Sequence, residues 1–455
     1  MPDDIAARLD RLPATRAVWK LVALLSLGGF FEFYDLFFTG YVAPGLVRGG
    51  ILTPTTPGLF GTSGIAGFVA ALFSGLFVGT LLFGFVADRL GRRAIFTVSL
   101  LWYTAASLVM ATQSTAFGLN LWRFIAGIGI GVELVTIDTY LSELVPKAMR
   151  GRAFAFNQVI QFLAVPVVAF LAWLLVPRDP LGMAGWRWVV AIGAVSALGV
   201  WVIRRAVPES PRWLASHGQP ERAAAIMDAL EARVRAEHGA ALPAPDPTPP
   251  AGPDARFADI FRPPYTTRTV MLVVFNIFQT VGFYGFSNWV PQLLISQGIE
   301  VTHSLLYTFV IALAAPIGPL LAMTVADRIE RKWLIVAAAG AVACFGLIFS
   351  QMRAPALLIA LGVCVTLASN VMSFTFHAYQ AELYPTRIRA LAVGFVYAWS
   401  RISVVFSAFV IAFFLRDFGT LGVFAFIAGS MGVVMLAIGT LGPRTLGLSL
   451  ETIAG

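Results

Sequence analysis

The sequence predicts an all-α membrane protein: twelve transmembrane helices arranged as two six-helix repeats in parallel orientation. Three observations predict it. Of 455 residues, 58% are hydrophobic and only 12% charged, with a mean hydropathy of +0.80; soluble domains carry about 25% charged residues. Apolar runs of about 20 residues, the length that crosses a bilayer, recur along the whole chain between short polar breaks. Two motifs also repeat at one offset. "VADRLGRR" from Val86 returns as "VADRIERK" from Val325, and "YLSELVPKAMRGRA" from Tyr140 returns as "YQAELYPTRIRALA" from Tyr379, each displaced by 239 residues. Two unrelated motifs sharing one offset mark a duplication.

The runs fall at 17–46, 64–87, 94–112, 117–145, 152–176, 186–206, 267–296, 303–326, 333–351, 355–384, 388–415 and 419–442. Residues 1–16 are charged and polar, unlike a cleavable signal, so the first run itself directs insertion. Charge sets the orientation. Of 32 Lys and Arg, 25 fall in the termini and loops on one side, and only Arg48, Arg178, Arg353 and Arg416 fall on the other. This positive-inside asymmetry puts both termini in the cytoplasm. It also accounts for the net charge of +8 without nucleic acid. The chain divides into an N-terminal six-helix bundle (1–206), a cytoplasmic linker (207–266), and a C-terminal bundle with a cytoplasmic tail (267–455). The linker contains "PERAAAIMDALEARVRAEHG", which is amphipathic and helical, followed by the Pro-rich "PAPDPTPPAGP". The two cysteines, Cys344 and Cys364, fall in predicted helices as core residues.

Within this frame, "GFVADRLGRR", "RFIAGIGIG", "ELVPKAMRGR", "PESPRWL" and "ELYPTRIRA" resemble the major facilitator superfamily over nearly the whole chain. "PESPRWL" after the sixth run is especially similar to the branch holding sugar porters, organic-ion transporters and bacterial niacin or aromatic-acid transporters. The last of these is the closest likeness. The resemblance implies alternating access by rocking of two bundles around a central cavity, in a bacterial inner membrane. It also implies a latch at the cytoplasmic loops, where carboxylates and arginines pair between helix ends and across bundles. Asp88, Arg92, Arg93, Glu143, Arg150 and Arg152 fit it in the first half, and Asp327, Arg328, Arg331, Glu382 and Arg389 in the second. The alternative is topology alone, since exposed ion pairs contribute little.

Charges inside the runs are the candidate functional groups, because each costs about 2.5–3.5 kcal/mol at a helix centre. In "GGFFEFYDLFF", Glu32 and Asp35 share adjoining parts of one helical face. By resemblance to sugar porters, Asp35 is the proton-coupling acid and Arg123 its partner; Asn157 and Gln158 match a polar pair of the fifth helix whose Gln contacts sugar. Glu133 and Asp138 are further titratable candidates. The seventh run departs from the sugar-porter pattern. It keeps Gln279 and Gly282 but carries Phe278 and Tyr284 where hydroxyl-binding residues stand, and His377 replaces a tenth-helix Trp. Rings in place of hydroxyl partners suit a flat aromatic solute.

The eleventh run carries Arg401 near mid-membrane, as organic-anion and carboxylate transporters of this branch do. Its guanidinium stays charged and suits a bidentate carboxylate; the alternative is a fixed partner for an internal acid. Tyr397 lies one turn earlier on the same face. Asn276, Phe283 and Tyr34 complete the predicted pocket, with Phe286, Trp289, Phe374, Tyr379 and Trp399 as further rings.

The reading is a proton-coupled importer of a small aromatic monocarboxylate, nicotinate or benzoate-like, with protons and membrane lipid as its other partners. A monomer is expected, with no cofactor and no nucleic acid. Alternatives are a sugar or polyol porter, an exporter of amphipathic drugs, and a non-transporting receptor. No nucleotide-binding loop, metal-ligand cluster or nucleophile–base signature points to an enzyme.

Overall fold

The computed structural model of the chain describes residues 5–53, 55–59, 64–204, 207–239, 241–245, 256–325 and 328–446; within these it describes no side chain at 82–88, 135, 200–204, 323, 386 and 390. The described residues form helices joined by short turns. A short α1 (Ile5–Asp10) leads into α2 (Arg16–Arg48), α3 (Gly64–Leu90), α4 (Arg92–Thr112), α5 (Ala116–Leu144), α6 (Arg150–Leu175) and α7 (Gly185–Arg204). The linker forms α8 (Pro211–Ser216) and α9 (Pro220–His238). The second half comprises α10 (Tyr265–Ser287), α11 (Val290–Ser296), α12 (Val301–Ala312), α13 (Ile317–Val325), α14 (Arg331–Gln351), α15 (Pro355–Glu382) and α16 (Thr386–Leu441).

Helix count and span count differ for local reasons. The seventh span is α10 followed by α11, because the chain turns at Asn288 and Trp289 and restarts with Pro291 in the first turn of α11. The eighth is α12 followed by α13, interrupted before Pro316, which lacks the N–H that would continue the helix. The eleventh and twelfth spans form one continuous α16, broken only at Gly419, where φ is +66°. A side chain there would oppose the left-handed backbone, so glycine marks the reversal.

The two halves repeat one packing scheme. α2 packs on α6 as α10 packs on the first part of α16; α4 packs on α5 as α14 packs on α15; α3 packs on α5 as α13 packs on α15. Between halves, α3 meets α16 and α6 meets α12 and α13. On the face away from the loop arginines, the halves close together. A Cβ on Gly40 would lie 2.3 Å from the Asn288 carbonyl oxygen, so the backbones touch with no side chain between them. Trp173 of α6 stacks on Phe309 of α12 at 6.1 Å between ring centroids. α9 buries Ala223, Met227, Leu230 and Val234 along one stripe against the basic end of the first half. Cys344 faces outward and Cys364 is half-buried, so neither is the core residue expected of it; both are free thiols.

Candidate functional site

A cavity of about 730 Å³ lies between the halves. It starts at a ring layer in the middle of the bundle and runs toward the basic end, reaching Gly151 and Ala381. The ring layer is built from both halves: Phe162 of α6 packs against Phe283 of α10 at 6.3 Å, and Phe73 of α3 against Tyr284 at 4.9 Å. Beyond it, among the described residues, lies a void of about 20 Å³ lined by Phe37, Tyr41 and Phe286 among others. The cavity is therefore shut toward the far face and extends toward the basic face.

Its walls mix rings with amides and hydroxyls. α6 contributes Asn157, Gln158 and Gln161; α10 contributes Gln279, Thr280, Phe283 and Tyr284; α15 contributes Ser373, Phe374 and His377; α16 contributes Tyr397, Ser400 and Arg401. Asp138 on α5 and His377 on α15 are both exposed to this space. Arg401 is 3% exposed. Its Nη1 donates to the Tyr284 hydroxyl at 3.2 Å and its Nη2 to the Tyr397 hydroxyl at 3.2 Å. The guanidinium also lies 4.9 Å from the Tyr397 ring centroid. Among the described residues, no carboxylate stands within ion-pair distance of it, although Glu32 is near enough to feel its charge.

The second intramembrane arginine is placed differently. Arg123 of α5 is fully buried, and its Nη1 donates to Asp35 Oδ2 at 2.8 Å. Its Nη2 donates to the Asp35 backbone oxygen and to Thr39 Oγ1 at 2.5 Å each, and it lies 4.1 Å from the Phe38 ring centroid. Ser107 of α4 donates to the other Asp35 carboxylate oxygen at 2.8 Å. Neither Asp35 nor Arg123 is on the cavity wall. Glu32 is buried on the same helix, and Glu133 is buried with Ser99 at 3.4 Å.

At the basic end, the loop charges pair in two matched sets. Arg92 pairs with Glu143 at 3.0 Å, and Arg331, 239 residues later, pairs with Glu382 at 3.2 Å. Arg150 Nε donates to the Val145 carbonyl at 3.2 Å, and Arg389 Nε repeats this on Tyr384 at 3.2 Å. These contacts join helix ends within a half; among the described residues no ion pair at this end crosses between halves. Glu209 accepts from the backbone N–H groups of Arg92 and Arg93 and so caps α4. Arg152 and Arg328 are exposed, while the side chain of Asp88 is not among those described and Asp327 lies outside the described residues.

The linker is tied to both halves. Asp10 receives Arg150 at 3.2 Å and Arg212 at 2.8 Å. Asp259 receives Arg387 at 2.8 Å; the Arg256 backbone N–H and then Arg387 hold its carboxyl below the usual range. Glu231 on α9 receives Arg8 at 3.0 Å and Arg11 at 2.8 Å. Burial pushes Glu231 up, and the two arginines more than offset it, leaving it below its ordinary value.

Eleven of the fifteen substrate and proton candidates therefore split into a cavity group and a buried pair: Arg401, Tyr397, Gln279, Tyr284, Phe283, His377, Gln158, Asn157 and Asp138 on the wall, with Arg123 and Asp35 behind it.

 Tyr34 is buried and donates to the Val189 carbonyl at 2.7 Å, so it faces α7. Asn276 is buried and donates to Leu272 of its own helix at 2.9 Å. Among the additional rings, Phe374 is on the wall, Phe286 and Trp289 are core, Tyr379 donates to Pro443, and Trp399 faces outward. Sequence reasoning missed Gln161, Thr280, Ser373 and Ser400. Each lies within one helical turn of a predicted wall residue, and that spacing was the available signal.

Comparison with known proteins now adds identity to geometry. A family model described as "Sugar (and other) transporter" matches residues 21–455. The chain is 33% identical over 443 residues to YyaJ of Bacillus subtilis (strain 168), covering 97% of this chain and 95% of that one. It is 27% identical over 456 residues to the niacin transporter NiaP of Acinetobacter baylyi (strain ATCC 33305 / BD413 / ADP1), covering 99% of each. Its fold is similar to the partially occluded inward open conformation of the xylose transporter XylE from E. coli, with a TM-score of 0.74 at 20% identity over 95% of this chain and 99% of that one. The chain belongs to the sugar (and other) transporter family of the major facilitator superfamily and is an integral membrane transporter.

Proposed function

We propose that this transporter imports a small aromatic monocarboxylate, nicotinate or a benzoate-like acid, together with a proton across a bacterial inner membrane. One observation carries the reading: Arg401 is a buried cation on the cavity wall whose hydrogen-bond partners are two neutral phenols. A buried charge without a counter-ion is costly, and an anionic substrate supplies the missing charge. The rings around it, Phe33, Phe283, Phe374 and Tyr284, suit a flat solute. The likeness to a niacin transporter agrees with an aromatic acid of this size.

Asp35 is the proposed proton carrier. Its carboxylate is paired with Arg123, and exchange of that partner for a proton is the proposed coupling step. The basic face is the cytoplasmic one by the distribution of loop charge, so the present arrangement faces inward. The matched pairs Arg92–Glu143 and Arg331–Glu382 are proposed members of the latch that rearranges when that face closes.

A second reading, a sugar or polyol porter, draws on the amides Asn157, Gln158, Gln161 and Gln279 on the same walls. The two separate in one experiment. Purified protein is screened by thermal shift against aromatic acids, their primary amides, and sugars, since ligands of the folded state raise its apparent stability. An aromatic acid is expected to stabilise the wild type, its amide far less, and Arg401→Ala is expected to abolish the effect. A sugar that stabilises more than every acid overturns the carboxylate reading in favour of the porter.

A further inference from the structure

The hydrogen bonds around Arg401 fix which groups touch the substrate. Each guanidinium outer nitrogen donates to a phenol oxygen, Nη1 to Tyr284 and Nη2 to Tyr397, both at 3.2 Å. One face of the guanidinium is occupied by the Tyr397 ring, 4.9 Å away. The cation shares the cavity wall with the two tyrosines it holds, and their hydroxyls occupy both of its outer nitrogens. A phenol has one proton to donate. Each oxygen here already accepts from Arg401, so each O–H is directed to another acceptor, and neither has one among the described residues. Both tyrosines line the cavity.

We infer that the substrate carboxylate is gripped by the O–H groups of Tyr284 and Tyr397, one to each carboxylate oxygen, with Arg401 behind them as a positioning cation. This rests on the carboxylate reading above and specifies its contacts. The arrangement is selective by hydrogen-bond polarity. Phenols whose oxygens are engaged by a cation present donors only, so they favour a group with two acceptors and disfavour an amide, whose nitrogen brings donors of its own. Accepting from a cation also polarises each phenol, which strengthens the bond it donates. The grip has a mechanical side. Tyr284 stands on α10 of the second half and packs against Phe37 and Phe73 of the first. The phenol that holds the substrate therefore belongs to the ring layer that shuts the cavity toward the far face.

The test uses the full-length transporter and measures binding of benzoate and nicotinate, and of benzamide and nicotinamide, by calorimetry. Wild type is expected to prefer acid over amide. Tyr284→Phe and Tyr397→Phe are each expected to weaken acid binding about tenfold, the size of one hydrogen bond to a charged group, and the double variant more. Unliganded melting temperature should hardly change. A direct grip by Arg401 makes the opposite forecast: freeing its nitrogens leaves acid affinity unchanged or raises it, and that result overturns this inference while the wild-type preference for acid stands. Wild type without that preference overturns the carboxylate reading and this inference with it. Arg401→Lys, which keeps the charge and can hold one phenol, should retain more acid affinity than Arg401→Met; equal loss in both overturns the positioning role. Should the double variant fail to fold, the ultraviolet difference spectrum of wild type decides, because new donation from a phenol shifts tyrosine absorption to longer wavelength. No shift on adding benzoate overturns the inference.

Discussion

Two arginines stand in the middle of this molecule, and they are solved differently. Arg123 in the first half is enclosed with Asp35, and its nitrogens also meet Thr39 and a backbone carbonyl. Arg401 in the second half faces a cavity, held by two phenols and no described carboxylate. The first charge is balanced inside the protein; the second is the one for which we propose an incoming anion as partner. Residue type alone does not separate the two. What separates them is whether a neighbouring helix brings an anion to the same depth.

The largest expected effect sharpens this contrast in stability. Arg123→Met strips Asp35 of its buried partner and should destabilise the fold by about 3–5 kcal/mol, the cost of breaking such a pair from one side. Arg401→Met removes a cation that no described carboxylate balances, so the unliganded fold should lose little or gain. Unfolding midpoints of the two purified variants check this. Equal destabilisation would break the distinction between a charge balanced within the fold and one that is not.

The next effect is on coupling. Asp35→Asn should retain exchange of substrate down its own gradient and lose accumulation driven by an inward pH gradient, measured in proteoliposomes. One proton moving with one monocarboxylate carries no net charge, so a membrane potential, worth about 2.3 kcal/mol per charge per 100 mV, should not alter wild-type accumulation. Accumulation that survives in Asp35→Asn removes Asp35 as the essential carrier and moves attention to Glu32, Glu133 or Asp138.

The smallest effect lies outside the membrane and supplies a third kind of arginine site. Arg8 and Arg11 hold Glu231 on α9, whose carboxyl is kept below its ordinary value. A depressed carboxylate stabilises the folded state above its unfolded pKa, and that contribution is lost as pH falls through the folded value. The tie between α1 and α9 should therefore be intact at neutral pH and loosen in the acid range, with hydrogen exchange rising in α1 first. Glu231→Gln should raise that exchange at neutral pH and remove most of its acid dependence.

Much of the frame was legible in the sequence because the bilayer imposes it. Twelve apolar runs, loop arginines on one side and a 239-residue offset leave few other arrangements. Spans that break inside were harder to read: α10 and α11 form one apolar run, and only Pro291 hints at the turn between them. In the site, legibility followed side-chain chemistry. Arg401, Asp35 and Arg123 stood out as candidates because charge in hydrocarbon demands an explanation. Tyr34 and Asn276 were misplaced as wall residues for the opposite reason. A phenol can be satisfied by a single carbonyl, as Val189 satisfies Tyr34, and an amide can direct its N–H to its own helix, as Asn276 does to Leu272, so polarity alone does not direct them to a cavity. Serine and threonine escaped notice because they commonly bond back to their own helix, as Ser400 does on Tyr397 while still lining the wall.

The contact at Gly40 carries a consequence for inheritance. In this arrangement a helix of the first half rests on the Asn288 backbone with no room for even a methyl group at position 40. Gly50, two turns and more beyond, has nothing within 4 Å of its would-be Cβ, though its φ of +70° still favours glycine. The two positions differ in what a mutation interrupts. A replacement at Gly50 strains one local bend in every state of the transporter alike. A replacement at Gly40 leaves that helix intact and obstructs the contact by which the halves meet on the far face in this arrangement. Lineages that carry this transporter should thus accept an alanine at Gly50 with a modest loss of stability, while an alanine at Gly40 should work against the arrangement described here.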